Sequence, residues 1–266
     1  MSYTRRTVMG LFAAVSLFAM PHFAAAEEGK LLIGSYPSNP PFEFKNESGT
    51  FEGFEAEIAA EVAKRLGLTP EFSDLGFQAL FAATSSKRID VAISSITITK
   101  ERLGSQSFTQ PYYDSDMGIA TKKDATLASE ADLKGKTVGV LSGSTGEKWS
   151  NENKDKLGIT EVKGYNAQQD MLLDLNAGRI DAAVSDVPGM QYAFLKMTDL
   201  AVKSRIKTGE QYALMMTKDH PLLEKANAAI TEMKKDGTMA AIHKKWFGTD
   251  APADSSTLTE QPIPKP

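Results

Sequence analysis

The chain has 266 residues, a length that fits one large or two modest domains, with 41% hydrophobic and 24% charged residues. These proportions are ordinary for a globular protein and exclude a largely disordered, collagen-like or multi-span membrane chain. A formal net charge of −4 argues against phosphate-driven nucleic-acid binding, and the lack of cysteine removes disulfides, thiolate metal sites, cysteine nucleophiles and iron–sulfur clusters.

The N-terminus reads as an export signal. Arg5 and Arg6 supply a basic start, 8–20 is apolar, and Ala24, Ala25 and Ala26 are small enough for a signal peptidase. A spanning helix needs about 20 apolar residues, more than this run holds. We therefore expect a signal peptide over 1–26, cleaved after Ala26. Thr4-Arg5-Arg6 also matches a twin-arginine signal loosely, so both export routes stay open. With no cysteine there is no lipid attachment site, and the expected destination is a periplasm.

Leu31, Leu32 and Ile33 predict a buried strand over 30–34, followed by a rigid proline-rich loop over 35–41. Phe54, Ile58, Val62 and Leu66 recur at i+4, which predicts an amphipathic helix over 53–66 closed by Gly67. Next come a strand over 69–72, a helix over 77–85, a buried strand over 89–93 and a polar loop over 94–101. The pattern then restarts: strand 137–141, a helix from about 147, strand 162–164, helix 167–177 and strand 180–184. Helices over 222–233 and 238–247 are separated by Asp236-Gly237. The tail from 249 is rich in proline and poor in large apolar side chains, which predicts disorder. Alternating strands and helices give an α/β class. Two rounds with a seam near 112–117 suggest two α/β lobes. Lys87-Arg88-Ile89-Asp90-Val91-Ala92 and Gly178-Arg179-Ile180-Asp181-Ala182-Ala183 are related in form; duplication and common loop chemistry explain them equally well.

Enzyme motifs mostly fail. His220 and His243 belong to no zinc pattern, and Gly143-Ser144-Thr145-Gly146-Glu147-Lys148 lacks the ending of a phosphate-binding loop. No catalytic residue, metal or cofactor is expected. That loop does offer backbone N–H groups at a helix start, where an anion is favoured and where an ordinary cap is the alternative. The loop around Ser94, Ser95, Thr97 and Arg102 comes after a buried strand, the edge at which open α/β sheets bind ligands. Arg102 could grip a carboxylate bidentately or form a surface ion pair.

Taken together, the motifs resemble one family. Pro40-Pro41-Phe42-Glu43-Phe44, Gly53-Phe54-Glu55-Ala56-Glu57-Ile58, Ile89-Asp90-Val91-Ala92-Ile93-Ser94-Ser95, Thr99-Lys100-Glu101-Arg102 and Phe108-Thr109-Gln110-Pro111-Tyr112 run in order through the first half. Leu133-Lys134-Gly135-Lys136, Ala177-Gly178-Arg179-Ile180-Asp181, Asp236-Gly237-Thr238 and Lys245-Trp246-Phe247-Gly248 continue the series. The chain is similar to the periplasmic solute-binding proteins of polar amino-acid ABC transporters, family 3.

The resemblance implies a type II periplasmic-binding-protein clamp: two lobes, each a central β-sheet flanked by helices, joined by two hinge crossings. Lobe 1 would combine 27–114 with 210–248, lobe 2 would be 115–209, and 249–266 a disordered tail. It implies a small zwitterionic ligand, an amino acid or derivative, held between the lobes by a monomer that docks on an inner-membrane ABC permease, with no nucleic-acid partner. By the same resemblance Arg102 clamps the ligand carboxylate with help from the Thr145 N–H, and Ser144 is a further ligand-binding position. Ser94, Ser95 and Thr97 lie in the ligand loop, and Asp186 pairs with the ammonium. Phe77 forms one wall. Asn39 stands where relatives often carry an aromatic, which suggests a polar or hydrogen-bonding ligand side chain, and Tyr36 stands where relatives that bind basic amino acids carry an acid, which leans against lysine or arginine as ligand. A dehydratase of prephenate or arogenate type on the same scaffold, and an opine-type or sensory receptor, are the alternatives.

Overall fold

The computed structural model describes residues 29–266; the expected signal peptide over 1–26 lies outside them. In chain order the first elements are β1 (Lys30–Ser35), β2 (Ser38–Asn39), β3 (Glu43–Lys45), β4 (Phe51–Glu52), α1 (Phe54–Arg65), β5 (Thr69–Asp74), α2 (Phe77–Ser85) and β6 (Val91–Ala92). Then come α3 (Lys100–Ser105), β7 (Gln106–Phe108), β8 (Tyr113–Lys122), β9 (Thr137–Leu141), α4 (Thr145–Leu157), β10 (Glu161–Tyr165), α5 (Gln168–Asn176) and β11 (Ala182–Asp186). The chain closes with α6 (Val187–Ala193), β12 (Leu200–Tyr212), β13 (Met215–Thr217), α7 (Leu223–Lys235) and α8 (Thr238–Phe247).

Two five-stranded sheets divide these strands into two lobes. The first has the order β5-β1-β6-β13-β7 and the second β10-β9-β11-β8-β12. In each, parallel strands joined by helices are completed by antiparallel ones. Parallel strands need both faces covered, and both sheets have an apolar cluster on each side. Leu31, Ile58, Val62 and Ile230 pack under α1 and α7, with Leu80, Ile89 and Phe108 on the other face. In the second lobe Val138, Val140 and Ile119 pack on one face and Met171, Leu175 and Met190 on the other. β2, β3 and β4 form a small antiparallel sheet beside the first lobe.

The chain crosses between lobes twice, and the crossing strands pair with each other. β7 belongs to the first sheet and β8 to the second; β12 belongs to the second and β13 to the first. Asp114 lies opposite Gln211 and Tyr113 opposite Tyr212. The Tyr113 and Tyr212 rings stack at 5.7 Å, and Phe42 meets both edge-on. The hinge is therefore a paired ribbon with an aromatic plug.

Three expectations need correction. The strand over 89–93 shrinks to Val91–Ala92, because Ser94 and Ser95 turn out of the ladder and Ser95 adopts a left-handed φ of 48°. The loop over 94–101 ends early: Thr99 caps α3 by accepting the Arg102 N–H. The tail over 249–266 is not disordered. Ser256 and Thr257 are buried, and polar contacts rather than apolar area hold them down.

Candidate functional site

A single interlobe cleft gathers all ten residues singled out in the sequence: Tyr36, Asn39, Phe77, Ser94, Ser95, Thr97, Arg102, Ser144, Thr145 and Asp186. It lies at the carboxyl ends of β1 and β6 in one lobe and of β9 and β11 in the other. Sheet geometry opens such a crevice there.

Arg102 reaches it from α3. Its Nη1 donates to the Thr97 carbonyl at 2.8 Å, and its Nη2 donates across the lobes to the Gly143 carbonyl at 3.1 Å. The guanidinium lies 4.8 Å from the Phe81 ring centre and 5.9 Å from that of Phe77, and Phe77 meets Phe81 edge-on. Among the described residues no carboxylate is within ion-pair distance of it, so the surface ion pair is not formed. Burial lowers its pKa to about 10, with Glu210, Asp186 and Glu101 working the other way. A desolvated cation bonded only to carbonyl oxygens is poorly compensated.

Asp186 faces the cleft from the end of β11, in the other lobe. It stands at the start of α6, yet its side chain makes no capping bond. Burial raises its carboxyl well above the usual range; the nearby Glu210 carboxylate adds to this, while Tyr212 and Arg102 oppose it. The Glu210 Oε2 and the Tyr212 hydroxyl are buried without a conventional partner.

The start of α4 supplies an anion cradle. Ser144 caps the helix by accepting the Glu147 N–H at 3.1 Å, and the Glu147 carboxylate accepts the Gly143 N–H at 2.7 Å. These bonds leave the Thr145 N–H at the first helical position, where the helix dipole favours negative charge. Gly146 is required here, because a Cβ would stand 2.8 Å from the Val184 carbonyl oxygen.

Behind the cleft floor sits a second carboxyl pair. Glu55 and Glu43 are fully buried. Both Glu55 oxygens accept the Ser95 N–H at 2.8 Å, and its Oε1 also accepts the Tyr112 hydroxyl at 2.6 Å. Burial raises Glu43 well above the carboxylate range, and the Glu55 charge raises it further. Burial raises Glu55 as well, while its contacts with Glu43, Tyr112 and Ser95 work the other way. This arrangement holds Ser95 in its left-handed conformation, with Oγ accepting the Asn39 amide at 2.9 Å. The Ser94 hydroxyl is occupied within the lobe, accepting the Tyr36 N–H at 2.7 Å.

Opposite the Arg102–Asp186 end, the lobes meet through uncharged groups. The Gln168 N–H donates to the Tyr36 hydroxyl at 2.7 Å, and its amide Nε2 donates to Asn39 Oδ1 at 3.4 Å. The Ser185 hydroxyl donates to Gln168 Oε1 at 2.8 Å. Burial lifts the Tyr36 hydroxyl to about 12. The space left is about 30 Å³, room for about a water or two, so the cleft is shut. Entry of anything larger requires the lobes to part.

Glu43, Leu141, Gly146, Gln168 and Ser185 also line the cleft and were missed in the sequence. Gln168 begins the helix after β10, at the same strand edge that drew attention to 94–102; applying that rule to every strand would have found it. Among the described residues no group of acidic or histidine side chains is arranged to hold a metal.

The family model described as bacterial extracellular solute-binding proteins, family 3, matches residues 31–249. The L-cystine-binding protein TcyJ of Escherichia coli (strain K12) is 34% identical over 92% of this chain and 96% of its own length. The histidine-binding periplasmic protein of Salmonella typhimurium (strain LT2) is 36% identical over 86% and 91%. Among solved structures, an ancestral arginine-binding protein bound to arginine superposes with a TM-score of 0.79 at 37% identity, covering 83% of this chain and 99% of that one. The fold is that of a type II periplasmic binding protein, and the chain belongs to the family 3 bacterial extracellular solute-binding proteins.

Proposed function

We propose that this protein is a periplasmic receptor that binds a free amino acid, or a close derivative, between its lobes and delivers it unchanged to an inner-membrane ABC permease. One observation carries the reading: a buried cation without an acid partner, Arg102, stands in one lobe, and an uncapped buried acid, Asp186, stands in the other. A zwitterion supplies the missing partner of each. The carboxylate would meet Arg102 and the Thr145 N–H, and the ammonium would meet Asp186. Such a ligand touches both lobes at once and so favours a form closed around it, wider than the empty cleft; differential affinity is the only way a ligand can shift the equilibrium. Tyr36, Asn39, Gln168 and Ser185 would read an uncharged, hydrogen-bonding side chain. The protein works as a monomer after removal of residues 1–26. Binding rather than turnover is supported by relatives named for the amino acids they bind.

Calorimetric titration of ligand-stripped protein with L-cystine, L-histidine, L-arginine and L-glutamine tests this. At least one is expected to bind at micromolar Kd or better, about −8 kcal/mol. The titration carries a pH signature. Unliganded Asp186 has a raised pKa, and an adjacent ammonium lowers it. Between the two values binding releases a proton, so affinity should increase as pH rises through the window above the usual carboxylate range. Repeating the titration in buffers of different ionisation enthalpy reads that proton directly. No heat and no thermal shift from any of the four amino acids would contradict the proposal.

A further inference from the structure

Beyond α8 the chain turns back over the hinge. The family match ends at residue 249, so residues 250–266 lie outside the part of the chain that the family model covers. Ser256 uses both its N–H and its hydroxyl to donate to the Asp114 carboxylate, at 2.6 and 2.5 Å. The Thr257 hydroxyl donates to the Tyr112 carbonyl at 2.9 Å. From the other crossing strand, the Gln211 amide donates to Ser256 Oγ at 2.7 Å. Asp114 and Gln211 are directly opposed residues of β8 and β12, so a single serine ties the two crossings together. Lys234 of α7 fastens this segment to the first lobe. Its Nζ donates to the carbonyls of Pro111 at 2.7 Å and Thr259 at 2.9 Å, and to Gln110 Oε1 at 2.9 Å. Ser256 and Thr257 are only 1% and 2% exposed.

We propose that residues 254–261 form a hinge strap that biases the unliganded protein toward the closed arrangement. Hinge opening is absorbed by backbone rotation in a few residues at element ends, here 110–114 on one strand and 211–214 on the other. The strap bonds Gln110, Tyr112 and Asp114 on the first and Gln211 on the second, while α7 anchors it. Hydrogen bonds lose strength steeply when bent or stretched. Those at Asp114, Tyr112 and Gln211 are all made with the cleft shut, so twisting the ribbon strains them together. The strap acts on the open–closed equilibrium itself and needs no ligand.

The lack of cysteine makes the test clean. Glu47→Cys and Asn151→Cys place one exposed spin-label site on each lobe, and electron–electron double resonance reads the interlobe distance without ligand. Deleting 254–266 is expected to raise the population at long distance about tenfold, equivalent to ~1.4 kcal/mol. Ser256→Ala should shift it in the same direction by a smaller factor. If the deletion does not fold, Ser256→Ala decides. Distance distributions unchanged in Ser256→Ala, and in the deletion where it folds, would overturn the proposal even if both melt at lower temperature, because the tail would then add stability without governing closure.

Discussion

Arg102→Ala is expected to weaken amino-acid binding by at least about 100-fold while leaving the unliganded protein folded. Two charge-assisted hydrogen bonds to a carboxylate, each worth ~1.5–3 kcal/mol, correspond to a factor of about 10² to 10⁴ in affinity. The fold loses little by comparison. The guanidinium bonds only to the Thr97 and Gly143 carbonyls, and their loss is offset by removing a desolvated charge. Arg102→Lys keeps the charge but loses the planar fork, so its affinity should fall between wild type and alanine. Titration calorimetry alongside thermal melting separates the two effects. Affinity retained in the alanine variant would remove Arg102 from the site.

Glu55→Ala should cause the largest loss of stability, about 3–5 kcal/mol, measured by urea denaturation without ligand. The side chain satisfies the Ser95 N–H, the Tyr112 hydroxyl and the Glu43 carboxyl, all buried. Removing it leaves three polar groups without partners, at ~1–3 kcal/mol each before local relaxation, and leaves a cavity. Ser95 is also released from a left-handed backbone that a non-glycine residue adopts only at a penalty of about 1–2 kcal/mol. Ligand affinity should fall as well, because Ser95 presents its hydroxyl to the cleft from that conformation. Glu55→Gln keeps an acceptor for the Ser95 N–H and should lie between wild type and alanine. Equal stability of all three proteins would show that the buried pair does not hold the loop.

Arg102 was legible because its loop comes after a buried strand, at the edge where such sheets form their crevice; Asp186 was legible only through the family resemblance. The resemblance already implied that they come from opposite lobes; sequence could not show that, among the described residues, neither has an ion-pair partner. Those facts depend on the β7–β8 and β12–β13 crossings, and β8 and β12 were themselves missed. The exposed and half-buried positions of β12 include Lys203, Arg205, Lys207 and Thr208, and polar Glu210 sits at a buried one, so its strand alternation is faint. Gln168 hid for a related reason: a lone polar residue at a helix start looks like solvent-facing surface until the other lobe arrives. The tail was misread because its composition measures the apolar area it can bury. Its order comes instead from Ser256 and Thr257 satisfying Asp114 and Tyr112 at the hinge, which composition does not register.

On the proposed reading Arg102 and the Thr145 N–H take the carboxylate and Asp186 the ammonium, so both ends of a free amino acid should be needed at once. The most direct test is calorimetric titration of the stripped protein with its best-binding amino acid, that compound's N-acetyl derivative and its carboxamide. Each derivative cancels one charge and should bind at least about 10-fold more weakly than the parent, from the loss of a charge-assisted contact. Equal affinity for either derivative would contradict a zwitterion bridged between Arg102 and Asp186.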